Sequence, residues 1–154
     1  MKLFLLISIS IILFIVGQFL FYPFFGLVEP KIDGIVFHII ESDRKIKTSI
    51  LFSFLLSLMA ILISIMWSIG RIISPIKRIA SVFTVLVIIS IAVFIRHTEV
   101  KAYFTRVVRP TILTNGITSL PYPINPVNFV YYMFGGLIVG IIISYFLFRQ
   151  SRYN

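Results

Sequence analysis

Apolar residues run through most of the chain, broken by short polar stretches rather than alternating with polar positions. Four stretches, residues 3–22, 48–70, 79–95 and 128–148, contain no Asp, Glu, Lys, Arg or His, and they are 20, 23, 17 and 21 residues long. At 1.5 Å of rise per residue, about twenty apolar residues cross a hydrocarbon layer of roughly 30 Å. Each stretch is therefore long enough for a transmembrane helix, the third only just. Each Leu, Ile, Phe or Val contributes about −0.3 to −0.6 kcal/mol at mid-membrane, and no charge opposes insertion at about +2.5 to +3.5 kcal/mol. The pattern predicts an all-α integral membrane protein: one domain over residues 1–154, built as a bundle of four transmembrane helices.

The two longer connections, residues 23–47 and 96–127, fall on the same side of such a bundle and carry partly amphipathic patterns. In the first, Ile32, Ile35, Val36, Ile39 and Ile40 recur at helical spacing, which predicts a short helix in the headgroup zone with Asp33 at its start. In the second, Val100, Tyr103, Phe104, Val107 and Val108 mark one face, while Lys101, Thr105, Arg106 and Arg109 mark the other. That pattern extends the third helix outward or lays it on the membrane, and Pro110 ends it. Pro121, Pro123 and Pro126 then impose an extended path into the fourth helix. Ser42 and Asp43 fit the start of the second helix.

Small residues inside the spans predict where helices meet. Ser49, Ser53, Ser57, Ala60, Ser64 and Ser68 follow at steps of 4, 4, 3, 4 and 4 residues, a stripe along the second helix. Gly136, Gly140 and Ser144 form a small-xxx-small run on the fourth. Such seams let backbones approach closely, and serine hydroxyls bond across the contact. Packing is the first reading, and a polar lining for a pore uses the same residues. The spacing alone leaves open whether each seam docks a helix of this chain or of another. The first helix offers Ser10 and Gly17, and Gln18 is expected to make an interhelical hydrogen bond.

Composition agrees with the membrane reading. Residues A, V, I, L, M, F, W, Y and C make up 59% of the chain and charged residues 12%, against about 25% charged in soluble domains. The net charge of +9 does not point to nucleic acid, because the Lys and Arg residues lie at the edges of apolar runs, where they meet lipid headgroups. Residues 1–2, 71–78 and 149–154 hold six Lys or Arg in 16 residues and no acid. The other side holds eight in 57 residues with all five acids. Density predicts that both termini are cytoplasmic, and a bacterial inner membrane is the expected location. Lys2 followed by an apolar run resembles a secretory signal, but small residues at the −1 and −3 positions of a cleavage site are missing near residues 18–24. The segment reads as a retained anchor.

Chemistry is thinly represented. The chain has no cysteine, and its two histidines, His38 and His97, fall one in each long connection, where an interfacial role is the simpler reading than haem or metal ligation. No G-x-S-x-G, H-E-x-x-H or S-x-x-K motif orders a catalytic group, and no ionisable residue sits inside a span as proton relays and voltage sensors require. The catalytic aspartates of lipoprotein signal peptidases and the embedded glutamate of small multidrug exporters are missing. No cofactor is expected. Arg96, Lys101, Arg106 and Arg109 form the strongest basic group, suited to lipid phosphates or an acidic partner. The leading expectation is a non-catalytic subunit of a larger membrane complex, contacting lipids and other integral membrane proteins through its small-residue faces and outer loops. A homo-oligomeric channel or carrier for a small solute comes second, and a membrane enzyme or electron-transfer subunit third.

Overall fold

A computed structural model describes residues 2–28, 42–103, 105–106 and 126–150. The described residues form four α-helices: α1 (Lys2–Val28), α2 (Ser42–Ile69), α3 (Pro75–Tyr103) and α4 (Pro126–Phe148). All four are long and apolar enough to cross a membrane, and the described residues contain no strand. The protein is an all-α four-helix membrane bundle. At 27, 28, 29 and 23 residues, the helices run about 35 to 44 Å, longer than the hydrocarbon layer, so their ends reach the headgroup level. Phe4, Phe19, Leu27, Ile76 and Phe94 stay exposed, as side chains facing acyl chains should.

The helices extend past the uncharged stretches at one end of the bundle. The first was expected to stop at Tyr22, before Pro23, yet α1 runs through Pro23 to Val28. Proline removes one backbone donor, a loss that membrane helices tolerate when neighbours pack the freed turn. Here Phe21 and Phe24 lie 5.9 and 5.0 Å, ring to ring, from Phe52 of α2, and Val28 is buried. The amphipathic pattern around Val100 continues α3 as far as Tyr103, with Val100 buried. The short helix expected at residues 32–40, its Asp33 start, Pro110 and the stiff path of Pro121 and Pro123 lie outside the described residues.

Packing is pairwise. α1 lies against α2 and α3 against α4, while α2 against α4 joins the two pairs. A single core runs through the junction, with Phe21 from α1, Phe52, Leu55, Ile63 and Met66 from α2, Val85 and Ile89 from α3, and Val130, Met133 and Leu137 from α4. α2 and α3 are joined by a tight turn at the end that also carries the α1 N-terminus and the α4 C-terminus, called here the turn end. There Ile72 N–H donates to the Trp67 carbonyl at 3.0 Å and Arg71 N–H to the Ser68 carbonyl at 3.4 Å, with Arg71 in the left-handed region at φ 51°. These paired bonds close the α2 C-terminus as a Schellman motif, and buried Ile72 supplies its hydrophobic contact. Pro75 then starts α3, where a missing N–H costs nothing. Gln150 N–H donates to the Gly70 carbonyl at 3.1 Å and pins the end of α4 to the turn.

The α3–α4 contact is set by absent side chains. A Cβ on Gly136 would stand 2.9 Å from the Ile89 Cα, and one on Gly140 would stand 3.1 Å from the Val85 Cα. Gly135, one residue away, faces open space. Gly136→Ala should therefore force the helices apart and cost about 1–3 kcal/mol, as overpacking does. Gly135→Ala should be neutral or slightly stabilising, since alanine is the better helix former. Thermal unfolding of the two variants in detergent separates these outcomes.

Candidate functional site

The six small residues of α2 do not share one fate. Nineteen residues at about 100° each make five turns and a further ~100°, so a stripe stepping mainly by four drifts around a straight helix. Ser49 and Ser53 are buried, Ser57, Ala60 and Ser64 are half-buried, and Ser68 is exposed.

The buried part of the stripe meets α1. A Cβ on Gly17 would lie 2.7 Å from the Ser53 Cα, so the two backbones touch there. The Gln18 amide closes the contact: Nε2 donates to Ser53 Oγ at 2.8 Å and to the Ser49 carbonyl at 3.4 Å, while Ser49 Oγ donates to Gln18 Oε1 at 2.7 Å. Ser53 Oγ in turn donates to the Ser49 carbonyl at 2.8 Å. Both halves of the amide are satisfied, which in hydrocarbon avoids the cost of an unpaired polar group.

Gly136, Gly140 and Ser144 of α4 face Ile89, Val85 and Ser81 of α3, so steps of four on one helix answer steps of four on its antiparallel neighbour. The fourth helix's seam thus docks within the chain, on α3. At its turn end Ser144 Oγ donates to the Ser81 carbonyl at 3.1 Å. Trp67 Nε1 of α2 donates to Ser81 Oγ at 2.8 Å, and that hydroxyl donates to the Arg78 carbonyl at 2.7 Å. The Arg78 guanidinium lies 5.3 Å from the Trp67 ring centre, with Nε donating to the Ile72 carbonyl at 2.8 Å. Three helices and the turn meet in this group. Sequence reasoning passed over Trp67 and Ser81. The only tryptophan of the chain, standing one helical turn before a basic connection, was the available signal.

The opposite end, which carries the long connections and is called the loop end, holds the charged cluster. Arg96 Nη1 lies 3.2 Å from Glu99 Oε2, and the same oxygen accepts the Tyr132 hydroxyl of α4 at 2.9 Å. Arg96 also lies over the Tyr132 ring at 5.6 Å, its side chain only 16% exposed. Of the four basic residues singled out as a lipid or partner contact, Arg96 is thus engaged within the bundle, Lys101 and Arg106 are exposed, and Arg109 lies outside the described residues. With Glu99 largely open to solvent, an ion pair of this kind contributes about 0.2–1 kcal/mol. The other histidine, His97, places Nδ1 3.0 Å from the Val28 carbonyl, at the last residue of α1. A carbonyl only accepts, so Nδ1 carries the proton and His97 caps a carbonyl of the last turn of α1. His38 lies outside the described residues. Among those residues no group of three or more His, Asp or Glu gathers to hold a metal.

Comparison with protein-family models, with curated proteins and with solved structures gives no match.

The Gln18–Ser53 contact generates a quantitative expectation. In a double-mutant cycle with Gln18→Leu and Ser53→Ala, the two sites should be coupled by about 0.6–1.7 kcal/mol, the range of interhelical hydrogen bonds in membranes. Reversible unfolding in mixed micelles measures it, and additive single effects would remove the amide from the account of α1–α2 pairing.

Proposed function

We propose that this chain is a non-catalytic integral membrane subunit of a larger membrane assembly, in a bacterial inner membrane with both termini cytoplasmic. One observation carries the reading. The intramembrane amide, the buried hydroxyls of Ser49, Ser53, Ser81 and Ser144, and the closely packed Gly17, Gly136 and Gly140 all join helix to helix. Groups spent this way build a scaffold rather than line a solute path. The surfaces left for a partner are the outer faces of α1 and α2 and the loop end, where Lys101 and Arg106 stand free to meet lipid phosphates or acidic side chains.

The orientation draws support from Arg71, Lys77, Arg78 and Arg149, which stand exposed at the turn end in short segments without an acid. Because the chain lacks cysteine, single cysteines report topology directly. Lys31→Cys and Leu113→Cys should react with a membrane-impermeant maleimide in intact cells, and Gln150→Cys only after permeabilisation. The reverse pattern would invert the bundle.

Assembly is tested by purification from native membranes in mild detergent. Other integral membrane proteins should co-purify in fixed ratio and cross-link to the chain. A monodisperse monomer with no cross-linked partner would refute a subunit role.

A further inference from the structure

Below the Gly17 contact, toward the turn end, no second glycine keeps α1 on α2, because the positions three and four residues earlier are Phe14 and Leu13. A cleft of about 400 Å³ opens there between the two helices, lined by Leu6, Ile7, Ser10, Ile11 and Phe14 of α1 and by Ser57 and Ile61 of α2. Its walls are almost wholly apolar, and its depth falls inside the bilayer: Ser10 stands eight residues, about 12 Å, from Lys2.

Two hydroxyls set this cleft apart from a greasy surface groove. Ser10 is only 7% exposed, and its Oγ is buried with no hydrogen-bond partner. Ser57, half-buried on α2, lines the opposite wall. Elsewhere in the bundle Ser53, Thr84, Ser90 and Thr98 each donate to the carbonyl four residues back. A buried hydroxyl left without a partner in hydrocarbon costs free energy that an acyl chain, having neither donor nor acceptor, does not recover. A neighbouring helix with an amide or hydroxyl side chain does.

We infer that the α1–α2 cleft receives one transmembrane helix of a partner subunit, which places an Asn, Gln, Ser or Thr side chain against Ser10 and Ser57. This rests on the subunit reading above and names the face through which the partner binds. The half-buried part of the small-residue stripe, Ser57 and Ala60, lets that helix approach closely.

A photoreactive benzoylphenylalanine replacing Ile11, at the exposed rim of the cleft, tests the assignment in the full chain in native membranes; the same residue replacing Phe83 on α3 is the control. Irradiation at position 11 should give an adduct with another membrane polypeptide, mapped by mass spectrometry to an apolar segment carrying Asn, Gln, Ser or Thr. Position 83 should not give that adduct. Ser10→Ala should lower its yield about threefold, the effect of one interhelical hydrogen bond, and Ser10→Thr should restore it, at unchanged melting temperature. Adducts with lipid alone, with a second copy of this chain, or with a protein at a yield indifferent to Ser10→Ala would overturn the cleft assignment. If integral membrane proteins still co-purified, the subunit reading would stand without it; if none did, both would fall.

Discussion

Where α3 and α4 meet, Gly136 and Gly140 present no side chain, and the backbones come close enough that a single methyl would collide with the Cα of Ile89. This contact matters more in lipid than it would in water. Acyl chains solvate Leu, Ile and Phe as well as a protein interior does, so helix association gains little from removing apolar surface. Close backbone approach multiplies van der Waals contacts and shortens interhelical hydrogen bonds, and both gains require small residues in register. Gly17 against Ser53 repeats the solution on α1 and α2.

The polar groups follow from the same constraint. Hydrocarbon offers no water to satisfy an amide or an indole, so each must find a protein partner. Gln18 does so in a closed set with Ser49 and Ser53, while Trp67 reaches Ser81, whose carbonyl accepts from Ser144. The second group joins the two helix pairs at the turn end, where the Schellman turn and Arg78 complete it. At the loop end, Arg96, Glu99 and Tyr132 clasp α3 to α4, and His97 holds the last turn of α1. Both ends are therefore cross-tied, and between them the helices are held by shape and by the Gln18 set.

A bundle so occupied with its own cohesion has few groups left over. Among the described residues, those that bear on a partner are Ser10 and Ser57 in the α1–α2 cleft, and Lys101 and Arg106 at the loop end. α1 is joined chiefly to α2, and its unpartnered Ser10 hydroxyl lies at the cleft between those two helices. The proposal of a subunit docked through α1 and α2 follows from what the internal contacts leave unused.

The number and membrane-spanning character of the helices were legible from residue order, because insertion depends on the sum of side-chain transfer energies along a segment and not on what it touches. The small-residue seams were legible for a related reason, since few other patterns pack helices closely. Helix ends were less so. Pro23 marks a boundary by local rule, and it was overridden because Phe24 and Phe25 pack against the α2 core. Partner choice was not legible at all. Steps of four on α4 do not say which helix answers them, and the drift of the α2 stripe sends Ser49 and Ser53 to α1 while Ser68 turns outward. Nor does the presence of a serine say whether its hydroxyl is satisfied, which is how Ser53 and Ser10, alike in sequence, came to differ. Those matters depend on distances between segments far apart in the chain, and only the folded arrangement sets them.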